Sequence, residues 1–138
     1  NCRQLGVSAI EWLGGEPLLR RSIFEHVALA CDLGLRNNIW TGGLPLSDPA
    51  VRGLSAAAAR NGLISVHVST VDPGLYGRLH PERGENDLAI ILNGVRDLLD
   101  LGYPSSQMLN SVTFTGLQPA ADTIATWHTT WTRWHRSC

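Results

Sequence analysis

The residues best suited to chemistry lie where a short apolar run ends. Residues 8–13 (SAIEWL) form such a run, which is followed at once by Gly14, Gly15, Glu16 and Pro17. Two glycines leave the backbone without side chains, so a ligand can approach the main chain closely. An ionised carboxylate only accepts hydrogen bonds, so Glu16 can hold an ammonium group. An ordinary strand-to-helix turn with a solvated glutamate has the same composition, and both interpretations stay open at this point.

Three more apolar runs end in glycine or polar residues. Their ends are TGG at residues 41–43, STVDP at residues 69–73 and TFTG at residues 113–116. In parallel α/β folds the carboxyl ends of the strands lie at one edge of the sheet, where binding sites are built. Four such ends at one edge predict a site more strongly than any one of them does.

The elements that must position these ends alternate along the chain. Strands are expected at residues 8–13, 38–41, 63–70 and 108–114. Helices are expected at 22–33, with Ser22 as its cap, within 47–62, at 86–101 and at 119–134, with a loop at 72–84. Alternation at roughly 30-residue spacing predicts an α/β fold with a parallel sheet and right-handed crossovers.

Two architectures fit this alternation. One is a partial (β/α) TIM-type barrel of about four βα units, which cannot close because a complete barrel takes about eight strands. The other is an open doubly wound sheet with helices on both faces. No linker or low-complexity segment divides the chain, so residues 1–138 are expected to form a single piece of one domain.

The composition excludes several classes of protein. Apolar residues make up 43 % of the 138 residues, which is enough for a core. The net charge of −1 gives no electrostatic reason to expect nucleic-acid binding. No apolar run is long enough for a membrane span, and no signal peptide is evident. Three widely spaced cysteines predict no disulfide framework, so a reducing cytoplasm is the expected location.

The segment WLGGEPLLR resembles the GGEP segment of the radical SAM superfamily, and its surroundings extend the resemblance. LGVSAIEWLGGEPLLRRSIFEHVALACDLGLRNNIWTGG resembles the second and third βα units of that family, whose third strand often ends in Thr-Asn-Gly. LISVHVSTVDPGLYGRLHP resembles the fourth strand and its loop, and DLAIILNGVRDLLDLGYP resembles the helix before the fifth strand. Altogether the resemblance covers residues 3–125.

The resemblance implies a partial (β/α) barrel that binds S-adenosylmethionine (SAM) beside a 4Fe–4S cluster. In that family, one-electron cleavage of SAM yields a radical that abstracts hydrogen from a substrate, which is a small molecule or a peptide. The cleavage needs an electron donor. The resemblance implies that Gly14, Gly15 and Glu16 hold the methionine amino group. It implies that Ser69 or Thr70 contacts the ribose or the methionine carboxylate. Thr41 and Asn110 would line the substrate side.

The chain departs from that family in its cysteines. The family holds its cluster with three closely spaced thiolates, usually CxxxCxxC, whereas Cys2, Cys31 and Cys138 are far apart. We therefore expect no cluster ligands and no activity in this chain alone, as in an internal fragment of a radical SAM enzyme or a naturally truncated relative. Gly42 also stands where the family often has asparagine.

Two other functions fit the sequence. A degenerate, non-catalytic barrel piece would act as a structural or partner-binding module, because missing strands leave sheet edges that associate. An unrelated α/β enzyme would hold a small anionic ligand at the GGEP turn, although this turn lacks the glycine pattern of phosphate-binding loops.

Several other residues favour structural roles. His67 is expected to alternate with the valines that flank it and to be a satisfied core histidine. Glu11 is expected to face the barrel interior in a buried ion pair with Arg96, or to bond a polar group on a neighbouring strand, because an unpaired buried charge is costly. His26 and His80 have no partners at the spacing of metal ligands.

The chain ends in a tryptophan-rich segment. Trp127, Trp131 and Trp134 share one predicted helix face, which is expected to pack on the sheet or to meet another part of the protein. His128, His135 and Cys138 do not have the spacing of a zinc finger, so no zinc site is expected there.

Overall fold

The computed structural model describes residues 3–111 of the chain. The predicted helix at 119–134, with its tryptophans and histidines, lies outside the described residues. The same holds for Cys2, Cys138 and the end of the predicted fourth strand, including the TFTG segment.

In the described part of the chain, four parallel strands form one sheet in the order β1-β2-β3-β4. They are β1 Ala9–Trp12, β2 Arg36–Thr41, β3 Leu63–His67 and β4 Met108–Ser111. Each strand pairs in parallel with the next one along the chain, which confirms the predicted α/β fold. Within residues 3–111 this order never reverses, so the sheet lacks the switch point of a doubly wound fold. It is therefore compatible with the first predicted architecture, a partial (β/α) barrel.

In residues 3–111, four α-helices are interleaved with the strands. They are α1 Ile23–Asp32, α2 Pro49–Ala58, α3 Pro73–Leu79 and α4 Asp87–Asp100. Helix α2 contacts both α1 and α4. Right-handed crossovers between strands in unbroken order place the connecting helices on one face of the sheet. In the described part of the chain, no helix combines the length and apolar character that a membrane crossing requires.

Among the four helices described, α2 and α3 begin at a side-chain cap, and α1 and α4 end at a glycine. The carboxylate of Asp48 accepts a backbone N–H of the first turn of α2 at 2.8 Å. Gly34 and Gly102 follow α1 and α4 with φ values of +72° and +85°, as left-handed helix stops. The prediction for Ser22 was wrong: its side chain makes no capping bond, and its hydroxyl instead accepts from Arg20 Nε at 3.0 Å.

Helix α3 lies inside the segment that was expected to be a loop. Its start is fixed by Asp72, whose Oδ1 accepts the N–H of Leu75 at 2.6 Å, and by Pro73 at the first helical position. Glycines at positions 74 and 77 weaken the helical pattern. The Asp-Pro pair was therefore the one usable sequence signal for this helix.

Strand β3 is shorter than expected and ends at His67 rather than at Thr70. The side chain of Asn110 takes over the pairing at the next residue, because its Oδ1 accepts from Val68 N and its Nδ2 donates to Val68 O. The hydroxyl of Thr70 then accepts the N–H of Asp72 at 3.1 Å, which starts the turn into α3.

The core lies between the sheet and the helices. Side chains alternate across each strand, so Ile39, Ile64 and Val66 face the helices and are buried. The polar residue Asn37 is completely buried beside them, and it accepts a hydrogen bond from Trp12 Nε1 at 2.8 Å. The Asn37 Nδ2 group donates to acceptors on α1 and α2, which are Val27 O, Cys31 Sγ and Ala58 O.

Candidate functional site

Glu16 lies at the carboxyl edge of the sheet, between the ends of β1 and β2. Its Oε1 accepts from Thr41 Oγ1 at 2.8 Å and from Leu18 N at 3.2 Å. Its Oε2 accepts from Gly42 N at 2.7 Å. A carboxylate offers about four lone-pair positions, so these three bonds leave Oε2 able to accept one more. The half-buried Glu16 carboxylate is thus fixed in place and still available to a ligand.

The two preceding glycines turn the chain from β1 toward the end of β2. Gly14 and Gly15 have φ values of +94° and +53°, a left-handed conformation that other residues rarely adopt. A β-carbon at either position would have no atom within 4 Å, so the space beside both glycines is open. Glu16 then caps the short 3-10 turn Pro17–Leu19. The sequence Gly-Gly-Glu-Pro therefore both makes the turn and leaves a bare backbone edge.

Two clefts flank Glu16. One has a volume of about 460 Å³, and its lining includes Trp12, Gly14 and His26. The other has a volume of about 370 Å³ and is lined by the residues Glu16, Leu19, Gly42, Leu44, Pro45 and Arg83. Glu16 is common to both clefts, which makes it the centre of this edge.

Arg83 belongs to the loop between α3 and α4, and it brings a positive charge to the edge. Its field also reaches Tyr76: burial raises the pKa of Tyr76, Arg83 lowers it, and Asp87 raises it. Arg83 was not predicted as a site residue. The one sequence signal was an arginine in the loop after the third strand, which by itself does not show where its side chain lies.

The other predicted site residues are distributed along the same edge. Thr41 bonds Glu16, whereas Asn110 bonds the backbone of Val68. Ser69 and Thr70 are buried just after β3, and Ser69 Oγ lies 3.3 Å from His67 Nε2. The structure thus joins Thr41 to Glu16 directly, and it gives Ser69, Thr70 and Asn110 local partners near the ends of β3 and β4.

Glu11 lies on the face of the sheet away from the helices, as expected, but the buried ion pair was wrong. Glu11 is exposed, and its carboxylate accepts from Trp40 Nε1 at 2.6 Å and from Asn38 Nδ2. Its partners are therefore neutral groups on the neighbouring strand, which was the other expectation. Arg96 instead donates to Asn93 on its own helix at 3.1 Å.

The described residues do not fit an iron–sulfur cluster. Within residues 3–111, no three His, Cys, Asp or Glu side chains come together as metal ligands. Cys31 is the one cysteine in this part of the chain, and its sulfur accepts from Asn37 Nδ2 at 3.0 Å, on the side of the sheet where α1 packs. His80 contacts the ring of Tyr76, with ring centroids 4.6 Å apart.

Relatives of two kinds are found among curated proteins with similar sequences. The chain is 36 % identical over 76 residues to the PqqA peptide cyclase of Xanthomonas oryzae pv. oryzae, a match that covers 55 % of this chain and 20 % of that protein. It is 32 % identical over 124 residues to the probable GTP 3′,8-cyclase of Pyrobaculum aerophilum, covering 88 % of this chain and 37 % of that protein. A third match, 32 % over 101 residues, is the GTP 3′,8-cyclase of Xanthomonas axonopodis pv. citri, covering 72 % of this chain and 29 % of that protein.

These relatives are radical SAM enzymes, and the matches support a relationship to them at low identity. The chain spans between 20 % and 37 % of the length of these three relatives. No family model matches the chain. No solved structure matches it either.

Proposed function

We propose that this chain is part of a radical SAM enzyme core and that its GGEP edge binds the methionine end of SAM. The observation that carries the proposal is the Glu16 carboxylate, which three donors fix at the ends of β1 and β2 while Oε2 can accept one more bond. The relationship to PqqA peptide cyclase and GTP 3′,8-cyclase supports the same assignment.

Each residue of the edge has a distinct task in this proposal. Glu16 accepts a hydrogen bond from the methionine ammonium group, and Gly14 and Gly15 leave space for the ligand beside the backbone. Ser69 or Thr70, at the end of β3, contacts the ribose or the methionine carboxylate.

We also assign Thr41 and Asn110 to the substrate side of the site. The hydroxyl of Thr41 is engaged with Glu16, so we assign it to holding the carboxylate in position as well as to lining that side. Asn110 lines the substrate side through its position near the end of β4, where its side chain also bonds the backbone of Val68.

SAM in this family supplies a 5′-deoxyadenosyl radical for hydrogen abstraction when it lies beside a reduced 4Fe–4S cluster. Because residues 3–111 do not fit a cluster, we derive no step through it. The proposed substrate is a small molecule or a peptide, as the names of the relatives suggest. We also propose that the enzyme receives its electron from a donor and that it is located in the cytoplasm.

Direct SAM binding tests the proposal. We expect the purified protein to bind SAM in equilibrium dialysis or calorimetry, and Glu16→Gln to weaken binding more than tenfold, because the ammonium then lacks an anionic acceptor. Glu25→Gln, at an exposed position on α1, is the matched control and should leave affinity unchanged. Circular dichroism and urea unfolding of each variant separate loss of binding from loss of fold.

Two outcomes would overturn the proposal. A protein that binds no SAM would favour a degenerate, non-catalytic barrel piece that acts as a structural or partner-binding module. Equal SAM affinity in Glu16→Gln and in the unaltered protein would remove Glu16 from the site. The gene gives a second test: a CxxxCxxC motif encoded upstream of Asn1 is expected, and a start codon immediately before the Asn1 codon would contradict the fragment interpretation in favour of the non-catalytic module.

A further inference from the structure

The face of the sheet away from the helices carries a carboxylate that is held in one orientation. In Glu11, Oε2 accepts from Trp40 Nε1 at 2.6 Å and Oε1 accepts from Asn38 Nδ2. Each oxygen thus uses one of its two lone-pair positions, and each can accept one further bond. Glu11 is exposed, so a ligand can reach the carboxylate. Its two donors are neutral, so they fix the group without reducing its charge.

The charge of Glu11 is not paired within the described residues. The one salt bridge among residues 3–111 joins α2 to α4 and does not involve Glu11. Arg36 shares the face by strand alternation, but it lies at the amino end of β2, two residues before the register partner of Glu11. Glu11 and Trp40 lie in the other half of their strands, toward the carboxyl edge at which (β/α) barrels bind their substrates. An unpaired negative charge therefore faces that region.

Apolar surface accompanies the carboxylate on the same face. Trp40 is 36 % exposed, and the bond from its Nε1 holds the indole beside Glu11. Leu109 of β4 is 44 % exposed. Ser65 lies in register between Trp40 and Leu109, and its hydroxyl is buried without a hydrogen-bond partner among the described residues. A buried hydroxyl without a partner is costly, so the described residues leave one polar group of this face to be satisfied.

We infer that this face binds an arginine side chain of a peptide substrate, with the guanidinium stacked on Trp40 and hydrogen-bonded to Glu11. A guanidinium stacks on an indole ring through its plane and donates to a carboxylate from its edge, so one cation suits both groups. The exposed apolar surface suits the methylene stem of the same side chain. Glu11 would repel a polyphosphate. The inference rests on the proposed function and deepens it, because it favours the kind of relative named for a peptide over the kind named for GTP.

The test compares two peptides that differ in charge and hardly in shape. One is acetyl-Gly-Gly-Arg-Gly-Gly-amide, and the other has citrulline, a neutral isostere of arginine, at the same position. The readout is the indole N–H signal of Trp40 in two-dimensional NMR of the purified protein, assigned among the five tryptophans with Trp40→Phe. We expect the arginine peptide to shift this signal at millimolar concentration, and the citrulline peptide to bind at least about threefold more weakly.

Glu11→Gln separates the carboxylate from the rest of the face. It keeps the size of the side chain and one acceptor oxygen but removes the charge, so the arginine peptide should bind about two- to fivefold more weakly. Its binding of the citrulline peptide should hardly change. Glu25→Gln, at an exposed position on α1, is the matched control and should leave both affinities unchanged. The other indole signals show whether each variant keeps its fold.

Four results would overturn the inference. They are equal binding of the two peptides, no binding of the arginine peptide, unchanged binding in Glu11→Gln, and a Trp40 shift produced by inorganic triphosphate instead of the arginine peptide. Methylguanidinium that binds as tightly as the arginine peptide would also contradict it, because the face would then recognise a small cation rather than a peptide.

These measurements use no SAM, so they are independent of the test of the proposed function. If Glu16-dependent SAM binding is found and the arginine peptide does not bind, the proposed function stands and this inference fails. If the peptide binds through Glu11 and the protein binds no SAM, the proposed function fails, and with it the assignment of the peptide as a substrate.

Discussion

Thr41 donates its hydroxyl proton to Glu16 Oε1 across 2.8 Å, and the same hydroxyl accepts the N–H of Gly43 at 3.0 Å. A hydroxyl has a single proton, so the accepted Gly43 bond leaves that proton directed at Glu16. The end of β2 therefore supports the carboxylate that follows β1. This link joins two segments that are 25 residues apart in the chain.

Replacing Thr41 by valine should destabilise the protein by about 1–3 kcal/mol. Thr41 is buried, so the variant leaves the Gly43 N–H without its acceptor and removes one donor from Glu16. Thr41→Ser keeps the hydroxyl and should lose less. Urea unfolding measures both variants, and equal stability of Thr41→Val and Thr41→Ser would contradict the role given to the hydroxyl.

Alanine at two adjacent glycines should have very different effects. At Gly43, with φ +87°, a β-carbon would lie 2.7 Å from Ile91 Cγ2 and 2.8 Å from Val66 Cγ1, so we expect a loss of about 2–4 kcal/mol. At Gly42 the nearest atoms are at ordinary contact distance, and we expect a loss under about 1 kcal/mol. Thermal and urea unfolding test the contrast; similar losses at both positions would refute it.

Asn37→Asp should make stability strongly dependent on pH. The buried carboxylate would face the carbonyls of Val27 and Ala58, to which the Asn37 amide donates, so its folded pKa should exceed the ordinary aspartate value. Stability is then retained below the ordinary aspartate pKa and falls as pH rises, by about 3–5 kcal/mol at neutral pH. Urea unfolding at pH 5 and pH 8, with exposed Asn93→Asp as control, measures this. A loss that is the same at both pH values would count against the buried position of Asn37.

The protein should lose stability at alkaline pH through its tyrosines. Burial raises the pKa of Tyr103 to about 12, and the Tyr103 hydroxyl donates to Ala59 O at 3.1 Å. The folded state holds this proton more tightly than the unfolded state, whose pKa is the ordinary value of 10.0. The contribution is therefore complete below pH 10 and is lost as pH rises toward 12.

Tyr103→Phe provides the control for alkaline unfolding. The variant should be less stable by about 1 kcal/mol at neutral pH, because it loses one hydrogen bond, but its stability should fall less steeply above pH 10. Tyr76, whose pKa burial also raises, accounts for part of the slope that remains. Urea midpoints at pH 8, 10 and 11 measure both slopes, and parallel curves for the two proteins would contradict the assignment to Tyr103.

The sequence by itself determined the alternation of strands and helices and the turn at residues 14–17. These depend on local properties: apolar periodicity, Pro and Asp at helix starts, and glycine where φ is positive. Gly14 and Gly15 are an example, because their left-handed backbone excludes most other residues whatever surrounds them. The resemblance carried by the same turn also agrees with the relationship that the comparisons support.

Only the tertiary structure decided which side chains meet at the edge and on the sheet faces. Glu11 bonds Trp40 rather than Arg96, because parallel pairing places Glu11 opposite Asn38 and brings Trp40 within reach on the same face. Glu16 meets Thr41 for a similar reason: both lie at the carboxyl ends of neighbouring strands. Strand order and register are set by packing over long sequence separations, which no local pattern records. The position of Arg83 at the cleft was also decided by the tertiary structure. Arg83 follows helix α3, which the sequence pattern did not predict because two glycines weaken it.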